Sequence, residues 1–200
     1  MAGITRIRIN SNWQDWRTEM AIELAPMADD IYREAFASIG MPLASGVADI
    51  DCTKQEALSR YDWKEGVDLI FRFEAGNKAT AQEKFLTYYE STLTVEETKT
   101  SGKPGAWYYC TAQYYFIGYA RQWSTYNRPE AEWPKMPVFH DWILTSFPAL
   151  QRADARGLVP WLFNGNKRDG RRARFRYVNF KDIPGDCIIA TAQPVFQSAF

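Results

Sequence analysis

The order of segments along these 200 residues predicts an α/β fold: one mixed sheet of four to five strands flanked by helices. Three observations lead there. A helical apolar repeat lies near the start, alternating β-rich runs fill the middle, and a second helical stretch and a basic alternating run come last. The length favours a single domain over residues 1–200, large enough for a real core. An apolar share of 46% with 16% aromatics is a globular composition, not a disordered one.

Residues 13–38 repeat apolar side chains at helical spacing: Trp13, Trp16, Met20, Leu24, Met27, Ile31 and Phe36. Asn12 suits the N-cap, Pro26 should kink or split the segment, and Gly40 with Pro42 ends it. A short helix is expected over "TKQEALSRY". Val67 to Phe73 reads as a strand, Gly76 and Asn77 as its turn, and Ala79 to Leu86 as the returning strand. "STLTVEET", residues 91–98, is β-branched and alternating, which makes a third strand in a meander. After a loop, "YYCTAQYYFIGYA" gives a turn or short helical piece and then a central strand, Tyr114 to Ala120. A second loop leads to a helix over residues 138–155, with Pro148 as a break. "LVPWLFNGNKRDG" is a third loop. "RARFRYVNF" alternates Arg172, Arg174 and Arg176 against Ala173, Phe175 and Tyr177, a half-exposed strand with a basic face. "CIIATA" adds a last or edge strand.

Charge narrows the function classes. The net charge is zero, yet residues 1–100 carry 17 acids against 11 bases, and residues 101–200 carry 7 against 13. The densest stretch is "NKRDGRRARFRYVNFK", residues 166–181, with seven bases and one acid. An acidic half beside a basic segment suits a metal centre next to a surface that meets polyanions. Lys167, Arg171, Arg172, Arg174 and Arg176 are the nucleic-acid-contact candidates, because guanidinium forks match phosphate geometry. No run approaches the roughly 18 apolar residues of a membrane span, and the first residues lack the apolar stretch of a secretory signal. Cys52, Cys110 and Cys187 are odd in number and scattered, which points to reduced thiols in a cytoplasmic, intracellular protein. The lone His140 gives neither a zinc site with them nor a nucleophilic triad.

Chemistry concentrates in the hairpin "EGVDLIFRFEAGNKATAQEKFLTYYE", residues 65–90. Residues two apart on a strand share a face, so Gln82 and Lys84 point one way and Glu83 the other. The Gly76 turn brings Asp68 beside Gln82. A carboxylate and an amide oxygen can hold a hard divalent ion such as Mg²⁺. A nearby ammonium can hold a phosphate oxygen, position a water or offset charge as a phosphodiester is attacked. Strands also carry inward charges simply to discourage mispairing. Glu96, after the third strand, is a further acid that could approach such an ion. The adjacent pairs Tyr88–Tyr89, Tyr108–Tyr109 and Tyr114–Tyr115 each put one ring inward and one outward, and outward rings can stack on unpaired bases.

"GVD", thirteen further residues, and "QEK" resemble the PD-(D/E)XK nuclease superfamily in its QxK variant. "TLTVEE" and "GAWYYCTAQYYFIGYA" resemble phage and bacterial members over residues 45–125. The resemblance implies a restriction-endonuclease-like fold and hydrolysis of DNA phosphodiester bonds with Mg²⁺ or Mn²⁺. It matches Asp68, Gln82 and Lys84 to the catalytic positions, with Asp68 and Gln82 on the metal. It implies an extra acid from the preceding helix, for which Glu34 is the first candidate and Asp30 and Asp51 the others. A phage-encoded member would act in host cytoplasm, and symmetric cutting of duplex or junction would favour a homodimer. The alternative is a nucleic-acid-binding or assembly protein that keeps the fold without catalysis.

Overall fold

The computed structural model describes residues 2–9, 16–52, 67–86, 91–99, 101–120, 139–166 and 173–192. These residues form an α/β structure with two sheets. The larger contains β1 (Ile4–Ile9), β2 (Val47–Cys52), β3 (Leu69–Arg72), β4 (Lys78–Leu86), β6 (Tyr114–Ala120), β7 (Phe139–Ser146) and β10 (Ile188–Thr191). Its spatial order is β10-β7-β6-β4-β3-β1-β2. It is mixed: β1 runs parallel to β2 and β4 parallel to β6, while the other neighbours are antiparallel. The smaller sheet is antiparallel and joins β5 (Thr92–Thr98), β9 (Ala173–Asn179) and β8 (Leu162–Asn166) in that order.

Each face of the large sheet has its own apolar cover. Helix α1 (Trp16–Ser38) turns Ala28, Tyr32, Ala35 and Phe36 onto Ile4, Leu69, Phe71, Ala79, Ala81 and Phe116. Tyr32 and Phe36 meet the Phe71 ring edge-on, both at 5.0 Å between centroids, the arrangement that aromatic quadrupoles favour. On the other face, Tyr115, Ile117, Tyr119 and Ile143 pack with Leu93, Val95 and Val178 of the small sheet. Short α2 (Ala106–Tyr109) adds Trp107 there, and α3 (Phe147–Ala155) adds Phe147 and Leu150. Removing a fully buried ring such as Phe71 or Phe147 should cost about 3–5 kcal/mol. Two tyrosines fasten the sheets together: Tyr115 donates to the Thr94 carbonyl at 3.1 Å and Tyr119 to that of Thr92 at 2.5 Å.

Several expectations change. The large sheet has seven strands rather than four or five, because β1 and β2 join it at one edge. The 91–98 segment is a strand, as expected, but it leaves the meander for the second sheet. Residues 139–146 are strand β7, not helix; their Phe, Trp, Ile, Leu and Thr side chains fill a place between β6 and β10. Pro148 then begins α3 instead of breaking it, since the first turn needs no N–H from it. Residues 162–166, read as loop, form β8. Pro26 does not split α1. It and Ile22, whose carbonyl loses its partner, are both exposed, so water can replace the missing bond. The short helix expected over 53–61, the Asn12 cap and the loop at 124–137 lie outside the described residues.

Candidate functional site

The β3–β4 hairpin turns at Gly76, whose φ of 90° is open to glycine and strained for other residues. Its register runs from Arg72 opposite Lys78 to Leu69 opposite Ala81. Past Leu69 the alternation of β3 breaks: the Asp68 N–H donates to the Ala81 carbonyl at 2.9 Å, and Val67 packs with Tyr115 and Ile117 while Leu69 and Phe71 pack under α1. Asp68 lies at this break beside β4, with its carboxylate on the Glu83 N–H. Within β4, Glu83 takes one face, and Gln82 and Lys84 share the other. This face also carries Tyr115 and Ile117 of β6, registered with Gln82 and Lys84.

Each of the three has a distinct environment, and all are half-buried. One carboxylate oxygen of Asp68, Oδ2, accepts the Glu83 backbone N–H at 2.9 Å. Burial pushes the Asp68 carboxyl up to about 7; the Glu83 N–H and Arg6 pull it back, and the Glu83 carboxylate adds to the rise. Gln82 Oε1 accepts the Cys110 thiol at 3.4 Å. Gly105 makes that contact reachable. A Cβ there would lie 2.4 Å from the Glu96 carbonyl oxygen, so only glycine lets α2 settle against β5 and deliver Cys110. Lys84 Nζ lies 5.7 Å from the Phe175 ring centroid. Burial lowers the Lys84 pKa, and the Glu96 carboxylate only partly offsets it. Both charged groups are therefore shifted toward neutrality by desolvation, and neither owes its shift to the other.

The reverse face of β4 is different. Glu83 Oε1 accepts from Arg6 Nη1 at 2.5 Å, and Oε2 accepts from the Tyr32 hydroxyl at 2.7 Å. Arg6 Nη2 donates to Asp29 Oδ1 at 2.5 Å and to the Ala25 carbonyl at 3.0 Å. Burial raises the Glu83 and Asp29 pKa values while Arg6 pulls both down, and the Arg6 pKa itself is raised by its two carboxylates. This cluster went unseen in the sequence because its members are far apart. One signal was present: Asp29 falls inside the apolar stripe of α1, between Ala28 and Tyr32.

The other expected participants fare unevenly. Glu34 does not join Asp68 and Gln82: it is exposed on α1, which covers the opposite face of the sheet, and Asp30 is exposed there too. The α1 acid that does face the sheet, Asp29, is held by Arg6. The Asp51 backbone lies in edge strand β2, with β1 and β3 between it and β4. Among the described residues no group of three or more His, Cys, Asp or Glu side chains could hold a metal ion. Asp68 and the Gln82 amide are the oxygen donors that a hard divalent ion would have to use here.

The basic face of β9 needs correction as well. Arg176 is not on a solvent face. It is buried against Trp107, 4.4 Å from the ring centroid, and paired with Glu97 at 3.0 Å and Asp154 at 2.9 Å. Both of its terminal nitrogens are used inside the molecule, while Nε is buried without a partner. Arg174 is exposed, ion-paired with Glu97 at 3.1 Å and 4.3 Å above the Phe163 ring. Arg171, Arg172 and Lys167 lie outside the described residues, as do Tyr88 and Tyr89. Tyr115 is buried and Tyr108 exposed. Cys110 and Cys187 are buried and carry no disulfide. No described helix is long and apolar enough to cross a membrane. No protein-family model matches the chain, and no curated protein or solved structure does.

Proposed function

We propose that this protein is a Mg²⁺- or Mn²⁺-dependent deoxyribonuclease whose centre is Asp68, Gln82 and Lys84. One observation carries the reading. The Asp68 carboxylate, at the end of β3, and the Lys84 ammonium, on neighbouring β4, are both desolvated and not paired with each other. A fold would gain more by pairing them or replacing them with apolar residues. A bound cation and a phosphate would supply the missing counter-charges.

In this reading Asp68 and the Gln82 carbonyl hold the ion, which supplies Lewis acidity to a phosphoryl oxygen and lowers the pKa of bound water. Asp68 has one oxygen engaged by the Glu83 N–H, which orients the other. Lys84 has two uses. As an ammonium it contacts a phosphate oxygen and offsets the charge that develops on attack. As an amine, favoured by its lowered pKa, it takes a proton from water, with Glu96 helping to recharge it. Arg174, exposed beside Phe175, offers a phosphate contact flanking the centre, with Arg171, Arg172 and Lys167 as the remaining candidates. The restriction-endonuclease-like reading of the fold is supported by the β3–β4 hairpin, the parallel β6 beside β4, and their position at the middle of the sheet.

The test is cleavage of linear, circular, nicked and branched DNA with Mg²⁺, with Mn²⁺ and with chelator. Metal-dependent products that vanish in Asp68→Ala support the reading. The second reading, a nucleic-acid-binding or assembly protein without catalysis, draws on Gln82 in place of an acid and on its bond to Cys110. It expects salt-dependent DNA binding, or stable oligomers, and no hydrolysis with either metal.

A further inference from the structure

We infer that Glu83 is a positioning residue for Asp68 and acts through its backbone N–H, with its carboxylate serving as the anchor. The geometry stands alone, while the consequence for metal binding rests on the nuclease reading.

Phe73 N–H donates to the Asn77 carbonyl at 3.0 Å, which marks that rung as hydrogen-bonded. In an antiparallel pair every second rung repeats this: 71 with 79, then 69 with 81, after which the Asp68 N–H also turns to the Ala81 carbonyl and the ladder is broken. Pairing stops at Leu69 opposite Ala81. The next donor in line, the N–H of Glu83, is taken instead by Asp68 Oδ2 at 2.9 Å. Asp68's own main chain is fixed on both sides: its N–H donates to the Ala81 carbonyl at 2.9 Å and its carbonyl accepts from Ile7 at 3.0 Å. What remains to orient the carboxylate is the position of the Glu83 peptide.

That peptide is fixed from behind. The Glu83 side chain reaches through to α1, where Arg6 and Tyr32 hold both its oxygens, and Asp29 and the Ala25 carbonyl hold Arg6. Strands β1 and β4 and helix α1 thus meet at one residue. Stability alone gives little reason for this. An apolar residue would suit position 83 as alanines suit 79 and 81, buried ion pairs are often no better than apolar replacements, and Arg6 Nε is left without a partner. A satisfied polar network does resist displacement, which is what a group orienting a metal ligand requires.

The experiment compares wild type, Glu83→Gln, Glu83→Ala, Tyr32→Phe and Asp68→Ala. It reads Mn²⁺ affinity by calorimetry and hydrogen exchange at the residue-83 amide by NMR, with circular dichroism for folding. In wild type the amide is protected, and Asp68→Ala strips that protection without loosening the rest of β4. Glu83→Ala raises the Mn²⁺ Kd about tenfold with the KM for DNA unchanged, and Glu83→Gln, which keeps both acceptor sites, recovers it to within about threefold. Should Glu83→Ala fail to fold, Tyr32→Phe carries the same test, with a smaller rise in Kd. An unprotected amide in wild type, or unchanged Mn²⁺ affinity in the folded variant, overturns the inference. Cleavage that survives Asp68→Ala removes the nuclease reading instead, and the amide result then decides the positioning claim by itself.

Discussion

Glu83 and Lys84 are neighbours in sequence, both charged and both packed about by protein, yet their surroundings are opposite. Glu83 has an arginine and a tyrosine on its two oxygens. Lys84 has an aromatic ring and the influence of Glu96, and burial wins. Across from them, Asp68 is desolvated beside a backbone N–H, not a cation. One strand therefore carries a charge-satisfied face and a charge-deficient face. The first is organised for the fold. In the nuclease reading, the second receives its counter-charges from a cation and a phosphate.

The sharpest way to break this comparison is Arg6→Met. It strands two buried carboxylates, Glu83 and Asp29, and should cost about 3–5 kcal/mol in urea unfolding. A loss below about 1 kcal/mol would mean that the face is not held by its charges.

Next is the pH dependence due to Asp68. Its folded pKa of about 7 exceeds the ordinary value of 3.8, so the folded state keeps a proton that the unfolded chain releases. That contribution is complete below about pH 4 and is lost as pH rises through 7. It amounts to a few kcal/mol at most, since the group keeps some solvent contact. Asp68→Asn should remove this slope between pH 4 and 7. In the nuclease reading, saturating Mg²⁺ should also flatten it in wild type, because the ion favours the carboxylate. Identical stability profiles for wild type and Asp68→Asn would contradict the desolvated state assigned to this carboxyl.

Lys84→Met sharpens the contrast with Arg6→Met. Stability at pH 7 should be unchanged or higher, because a desolvated ammonium is replaced by an apolar chain of similar length. A loss of several kcal/mol would place Lys84 among the structural charges. Tyr32→Phe should cost about 1 kcal/mol, the worth of one hydrogen bond to Glu83. Arg174→Ala should cost less than about 1 kcal/mol, Arg174 being exposed and Glu97 keeping Arg176, whereas the buried Arg176→Ala should cost several times more. Equal losses would erase the difference between the two β9 arginines.

The hairpin and the shared face of Gln82 and Lys84 were legible because they depend on local rules, a glycine turn and a period of two; the break in alternation at Asp68 was not. The same rules identified β6 and the strand character of β5. Sheet membership was not legible. Nothing in "TLTVEET" says that its partner is β9, more than seventy residues on, rather than β4. Residues 139–146 misled because a short apolar run fits helix and strand alike until its neighbours are known. Arginine counts also misled: Arg174 and Arg176 look equivalent in sequence and both pair with Glu97, but Asp154 and Trp107 enclose only the second. The Arg6 cluster was least visible, since its four side chains come from three distant segments.

The most direct test of the central claim is Mg²⁺-dependent cleavage of duplex and single-stranded DNA by wild type beside Lys84→Met, with unfolding measured on the same samples. The charge-deficient face, read as a catalytic centre, predicts full folding and retained DNA binding in the variant, with cleavage lost. Undiminished cleavage by a folded Lys84→Met protein would contradict it.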